Sequence, residues 1–262
     1  MNALSTPPHF FLRLHRGAVA WILSWWRLLN FSVMMLTVAA MPATYSRDNR
    51  RIVAHHLVRD TLPNLAWFGV LSALVSLVLI RIVVATSQSY GLSRYALDLL
   101  VRVLTLELIP LCAAAFVALR TTLPTGLEFA QSRKASAGNS LQELRADFFP
   151  RVAAGIFAVW MLAAVCCVAT LILAYLSMYG FTPYALPGYT RAVGQVFNPA
   201  VTLILVLKIV FFSFAVGLIP MASSFYYGGS LRAKVTHGLS DMVRLFAVIL
   251  LIEVASLMGN YY

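Results

Sequence analysis

Along this chain, apolar residues come in long unbroken runs separated by short polar or basic stretches. Five runs are long enough to span about 30 Å of hydrocarbon as helices: 62–84, 97–119, 152–179, 200–224 and 242–258. A sixth run, 31–43, is too short to span comfortably. Before it lies "FFLRLHRGAVAWILSWWRLL", in which Arg13, Arg16 and Arg27 stand beside Trp21, Trp25 and Trp26. Basic residues mixed with tryptophans suit a helix lying in the membrane interface. The pattern predicts an all-α integral membrane protein in one domain over 1–262. Its parts are an interfacial helix and short hydrophobic segment over 10–46, five spans, and a short cytoplasmic helix between spans two and three. A true sixth span within 17–43 is the competing reading. Arg27 and Asn30 break the first apolar run, and no small-residue cleavage site follows it, so a cleavable signal peptide is not expected.

Composition agrees. Only 11% of residues are charged, against about 25% in soluble domains. The net charge of +11 could point to nucleic acid, but the distribution of lysine and arginine gives a simpler account. Alternate connections hold fifteen of these residues against four, the last being Lys208 inside a span. Such residues mark the cytoplasmic side. The N-terminus is predicted inside and the C-terminus outside, with no nucleic-acid partner.

The connection 120–151 is the largest cytoplasmic candidate. Within "NSLQELRADFFPR", Ser140 and Glu143 fit a capping box, and Leu141, Leu144 and Phe148 fall on one helical face. That face can lie on the bilayer or dock into a soluble partner. Pro150 is expected to restart the chain for span three. The outer connection 178–199 is aromatic and proline-rich, as in an interfacial loop.

No P-loop, His-Glu-x-x-His or Gly-x-Ser-x-Gly pattern is present, so ATP binding through a P-loop and the common hydrolase chemistries are not indicated. Cys112, Cys166 and Cys167 lie in apolar runs without metal or disulfide spacing. His55 and His56 are neighbours and do not share a helix face. No metal site, cofactor or enzymatic activity is expected of this chain. The intramembrane charges are Glu107, Lys208 and Glu253.

"LTLELIPLCAAAFVALR" (104–120) holds both Glu107 and Pro110. A carboxylate at the bilayer centre costs roughly 2.5–3.5 kcal/mol on insertion scales. The proline leaves the carbonyl of Leu106 without its helical donor. Both are tolerated where the helix faces protein or water. Counted from the outer ends of their spans, Glu107 and Lys208 lie at one depth, roughly 12–15 Å at 1.5 Å per residue. They are therefore expected to pair beside an outward-facing cavity, with Leu106 and Pro110 in its wall. They would either lock two spans together or meet a lipid head group.

The same stretch, "LELIPLCAAAFVALR", resembles the "REIGPVLTALLVAGR" core of the MlaE/YrbE permeases. These are subunits of bacterial ABC lipid transporters that work with MCE-domain proteins. "AHHLVRDTLPNLAWFGVLSALVSLVL" looks like the family's entry to its first span. "LEFAQSR" is similar to "AELGTMR", "FFPRVAA" to "VVPRVLA", "LVLKIVFFSFAVGLI" to "LIKSVVFGLIIALI", and "FYYGGSLR" to "CYQGLRA". The family's arginine before the glutamate is Leu106 here, the glycine before the proline is Ile109, and "EQIDAL" has become "SLQEL". The family's "GGAEGVG" has become "AKVTHGL".

The resemblance implies a homodimer in the bacterial inner membrane, with a cytoplasmic ABC ATPase that binds ATP and Mg. It also implies a periplasmic MCE protein and a phospholipid cargo moved between inner membrane and periplasm, as in systems that maintain outer-membrane lipid asymmetry. Glu128, Ser140, Leu141, Glu143, Leu144 and Phe148 would fall in the region coupling to the ATPase. Two other readings of the residues remain open: a membrane scaffold without a substrate path, and an ion-coupled channel or transporter using Glu107.

Overall fold

The computed structural model describes residues 9–92, 95–132, 144–226 and 231–261. Helix α1 (His9–Ala40) ends before Pro42, which opens a 3-10 turn, Pro42–Tyr45. A proline suits the first turn of a helix and stops the one before it. The turn is tied back by Thr44, whose hydroxyl donates to the Val38 carbonyl at 2.6 Å. Helix α2 (Arg47–Ser89) follows. Helix α3 is one continuous rod over 96–132, in which α-helical turns alternate with two π-helical stretches, Val101–Leu108 and Ala118–Thr122. Helix α4 (Leu144–Tyr179) begins with a π-helical turn, Leu144–Phe148. The short α5 (Leu186–Val196), α6 (Pro199–Tyr226) and α7 (Leu231–Tyr261) complete the chain. Among the described residues there is no strand, so the all-α membrane class stands.

Helices α2, α3, α4, α6 and α7 run back and forth, so Tyr261 finishes at the end of the bundle opposite Arg47. The end holding the 120–151 connection is called the basic end below. At the other end Gly91 (φ +69°) and Gly180 (φ +68°) close α2 and α4, in the left-handed conformation that glycine reaches without a Cβ penalty. Helices α4 and α6 touch closely. A Cβ on Gly155 would lie 3.5 Å from the Gly217 Cα, and one on Gly217 would lie 3.1 Å from the Val152 carbonyl oxygen. Small residues at such a crossing replace the hydrophobic drive that lipid does not supply.

The helices outrun the expected spans, because polar residues flanking an apolar run continue the same hydrogen-bonding ladder. The N-terminal segment differs most. The run 31–43 is the tail of a 32-residue helix. Its window Leu23–Ala40 brings to six, among the described residues, the helices long and apolar enough to cross a membrane by length and composition. Several of its contacts lie at the basic end of the bundle. Ser24 and Arg27 border a small hollow with Tyr226, Asp241 and Arg244. Phe31 meets Phe148 and Phe225 at 5.9 and 5.5 Å between ring centres. Just beyond α1, the Asn49 amide donates to the Arg145 carbonyl at 3.4 Å. Ser24, Arg27 and Phe31 thus pack at the basic end, while length and composition also allow this helix to cross a membrane.

Pro150 stands in the first turn of the α-helical part of α4, Phe149–Tyr179, where the α-helix opens as expected. A π-helical turn, Leu144–Phe148, runs into it without a break, and the Arg145 carbonyl of that turn accepts from the Asn49 amide. Leu144 and Phe148 are buried, at 2% and 0% exposure, in a cluster with Phe31, Met35, Met221 and Phe225. The apolar face expected to dock into a partner is, at these two positions, covered by the chain's own α1 and α6.

Candidate functional site: a buried charge cluster beside an apolar groove

Lys208 projects from α6 into the bundle and is 2% exposed. Its ammonium donates to Glu107 Oε2 on α3 and to the Leu106 carbonyl at 3.2 Å. The same nitrogen stands 2.8 Å from Glu253 Oε2 on α7. The Asn260 amide, one further face-repeat along α7, donates to Glu107 Oε1 at 2.9 Å. Three helices thus converge on one lysine, at the level where an uncompensated charge is costly.

Local chain chemistry explains the convergence. The Leu106 carbonyl is the one that Pro110 cannot serve, since proline lacks an N–H. Lys208 supplies a donor to that oxygen from another helix. Glu107 and Leu106 lie in the π-helical stretch Val101–Leu108, a widened turn of the kind often found at functional positions. Pro110 is buried behind it. Thr105, on the same turn, is fully buried, and its carbonyl accepts from the Cys167 thiol at 3.4 Å. The α5 cap closes the bundle near this end. Tyr189 donates to the Leu171 carbonyl at 2.7 Å, and burial pushes its hydroxyl up to about 12, so it stays protonated and remains a donor.

A groove of about 800 Å³ runs between α1, α6 and α7. Trp25, Leu36, Leu207 and Phe211 are among its apolar walls, with Lys208 and Ser256 on its polar edge. Such a shape accepts a long apolar ligand that carries a polar group at one place.

The structure brings together Glu107, Lys208, Leu106 and Pro110, the four residues expected to form a cavity wall, but of these only Lys208 lines the groove, and Leu106 and Pro110 are buried inside the bundle. It adds Glu253, Ser256 and Asn260, which the sequence reading did not join to them. Their spacing of i, i+3 and i+7 puts them on one face of α7, a signal visible once Glu253 is taken as a site residue. Of the coupling residues, the described ones do not share one exposed surface. Glu128 is exposed near the basic end of α3, Leu144 and Phe148 are interior, and Ser140, Leu141 and Glu143 lie outside the described residues.

The long apolar helices packed around buried charges are those of a polytopic α-helical membrane protein. The family model for Permease MlaE matches residues 53–258, and the chain belongs to that family. No curated protein shows significant similarity to it.

Proposed function

We propose that the chain is the membrane subunit of a bacterial ABC transporter for phospholipids or related lipids. Two copies form the permease in the inner membrane. A separate cytoplasmic ATPase supplies ATP hydrolysis, and a periplasmic MCE-domain protein receives or delivers the lipid. The basic end faces the cytoplasm and the end holding Tyr261 faces the periplasm, in keeping with the fifteen-to-four bias of lysine and arginine. The observation that carries the reading is the Glu107–Lys208–Glu253 cluster, whose lysine lines an apolar groove within a chain of this family. Lipid has the matching form, an apolar body with a charged head. The chain itself catalyses no covalent step in this scheme. Glu128, exposed on the last turns of α3, is the described residue best placed to meet the ATPase.

The test joins co-purification to transport. Tagged chain released in mild detergent is expected to bring down a P-loop ATPase. In a lipid-transfer assay, Glu107→Gln and Lys208→Gln are each expected to impair transfer. Glu107→Lys combined with Lys208→Glu should recover folding without full transfer. Recovery of full transfer by the swap would make the pair a structural lock. A chain that purifies without any ATPase would favour a scaffold.

A further inference from the structure

A second groove, of about 590 Å³, lies at the basic end between the Pro42–Tyr45 turn, α2 and α4. It shares no residue with the groove beside Lys208. One wall is a single face of α2, on which Arg50, Val53, Leu57, Thr61 and Leu65 follow one another every three or four residues. Phe157 and Met161 of α4 stand in the facing wall. From Arg50 to Leu65 the face runs roughly 22 Å at 1.5 Å per residue. The shape is a long apolar slot with a polar mouth.

Two polar groups in it are without a partner among the described residues. Arg50 is the one charged residue in the lining, and no carboxylate or carbonyl engages its guanidinium. Thr61 is 4% exposed, lines the groove, and its hydroxyl makes no hydrogen bond. Buried hydroxyls are nearly always paired, so one left open in the wall of a cavity marks a place for a ligand's acceptor. The neighbouring carboxylates are engaged elsewhere. Asp60 stands among His56, Arg59 and Arg151, Asp147 stands beside Arg151, and neither lines the groove.

Depth matches these groups to the parts of a phospholipid. Thr61 directly precedes the apolar run 62–84, which puts it at the hydrocarbon boundary, where ester groups lie. The head-group layer reaches roughly 5–7 Å further out. The Arg50 backbone is roughly 16 Å from Thr61 along the helix, and its long side chain extends toward that layer from the outer side. Arg51, His55 and Arg59 surround the mouth on the same helix. A zwitterionic lipid would bring a cation of its own among them, whereas an anionic lipid brings none, and basic segments at the cytoplasmic surface attract anionic lipid.

We infer that this groove binds an anionic phospholipid of the cytoplasmic leaflet. Arg50 takes the phosphate, Thr61 donates to an ester carbonyl, and one acyl chain lies between α2 and α4. The site is separate from the groove assigned to cargo. It goes beyond the permease reading and uses from it only the cytoplasmic placement of the basic end.

The experiment is native mass spectrometry of the full chain in mild detergent. The titrants are dioleoyl phosphatidylglycerol and dioleoyl phosphatidylcholine, whose identical tails cancel the apolar contribution. The glycerol lipid is expected to bind at least about fivefold tighter, the scale of one arginine near an anionic lipid. Arg50→Gln should shrink that preference to about twofold or less. Thr61→Val keeps the side chain's shape and should weaken both lipids alike, about threefold, because both carry the ester. Val58→Trp, which fills the groove, should remove one tightly bound lipid per chain. Equal binding of the two lipids, a preference that Arg50→Gln leaves intact, or wild-type affinity in Thr61→Val overturns the inference. So does a change of oligomeric state in Val58→Trp with lipid binding unaltered, which would assign the groove to a second copy of the chain. The permease reading fails separately, on co-purification without an ATPase, and a glycerol-lipid preference lost with Arg50→Gln stands in either case.

Discussion

Phe129, Phe148 and Phe225 meet near the basic end with ring centres 4.8 and 5.3 Å apart, and Phe31 from α1 completes the cluster. Toward the other end, Glu107, Lys208, Glu253 and Asn260 meet with almost no apolar contact among their tips. Both clusters join three or more segments of chain, but by different physics. Edge-to-face rings are held by area and dispersion, which tolerate exchange for another large apolar side chain. The charges are held by a count of donors and acceptors in which each removal strands a partner. The proposed function makes one end a joint and the other a site, and perturbations should separate them.

The largest expected difference is all-or-none. If the two ends face opposite sides of the membrane, a reporter active only in the cytoplasm works when fused after Lys134 and is silent when fused at Tyr262. Activity at both points would require an even number of crossings between them, and would give α1 or another helix a different path.

Next in size is Lys208→Met. It keeps the length of the side chain and removes the only cation, which strands Glu107 and Glu253 together. Breaking a buried ion pair in this way costs about 3–5 kcal/mol. Thermal unfolding in detergent should show a large drop, or the variant should fail to accumulate. An unfolding temperature equal to wild type would mean that the cluster does not hold the three helices together.

Phe148→Ala should cost a similar or slightly smaller amount, about 3–4 kcal/mol, through loss of buried area and the void left behind. The informative comparison is Phe148→Leu. It should recover most of the stability and leave transport intact, because the basic-end cluster asks only for apolar volume. Leu144→Asp belongs here too. With Leu144 buried in the same cluster, it should lower stability before it affects any partner. Glu128→Lys, on an exposed position, is the cleaner probe of ATPase association.

The sequence made one cluster more legible than the other. Glu107 and Lys208 could be paired because both depths can be counted from the outer ends of apolar runs, and the Leu106 carbonyl followed from Pro110 alone. Glu253 escaped because the run 242–258 puts it only five residues from its outer end, shallower than the other two, whereas α7 continues to Tyr261 and so carries it deeper. Leu144 and Phe148 were misread for a different reason. An apolar helix face looks the same whether a partner or the chain's own α1 covers it. Arg27 and Asn30 also hid the continuity of α1, since the preference of single residues yields to hydrogen bonding and tertiary packing over 32 residues.

The smallest effect concerns Asn260, which sits at the edge of the charge cluster and touches Glu107 alone among its charges. Its amide gives Glu107 Oε1 a hydrogen bond at 2.9 Å, while its own oxygen is unpartnered. Asn260→Ala therefore removes one donor to a carboxylate and strands no other group. The expected loss is about 1.5 kcal/mol, the low end for hydrogen bonds to charged groups. It should be visible as a modest fall in unfolding temperature. Combining it with Glu107→Gln makes a double-mutant cycle. If Glu107 is ionised in the folded bundle, the two effects should couple by about 1 kcal/mol, because an amide acceptor gains less from the same donor. Additivity within a few tenths of a kcal/mol would mean that the Asn260 contact contributes nothing to holding Glu107, and that Lys208 alone sets the carboxylate's position.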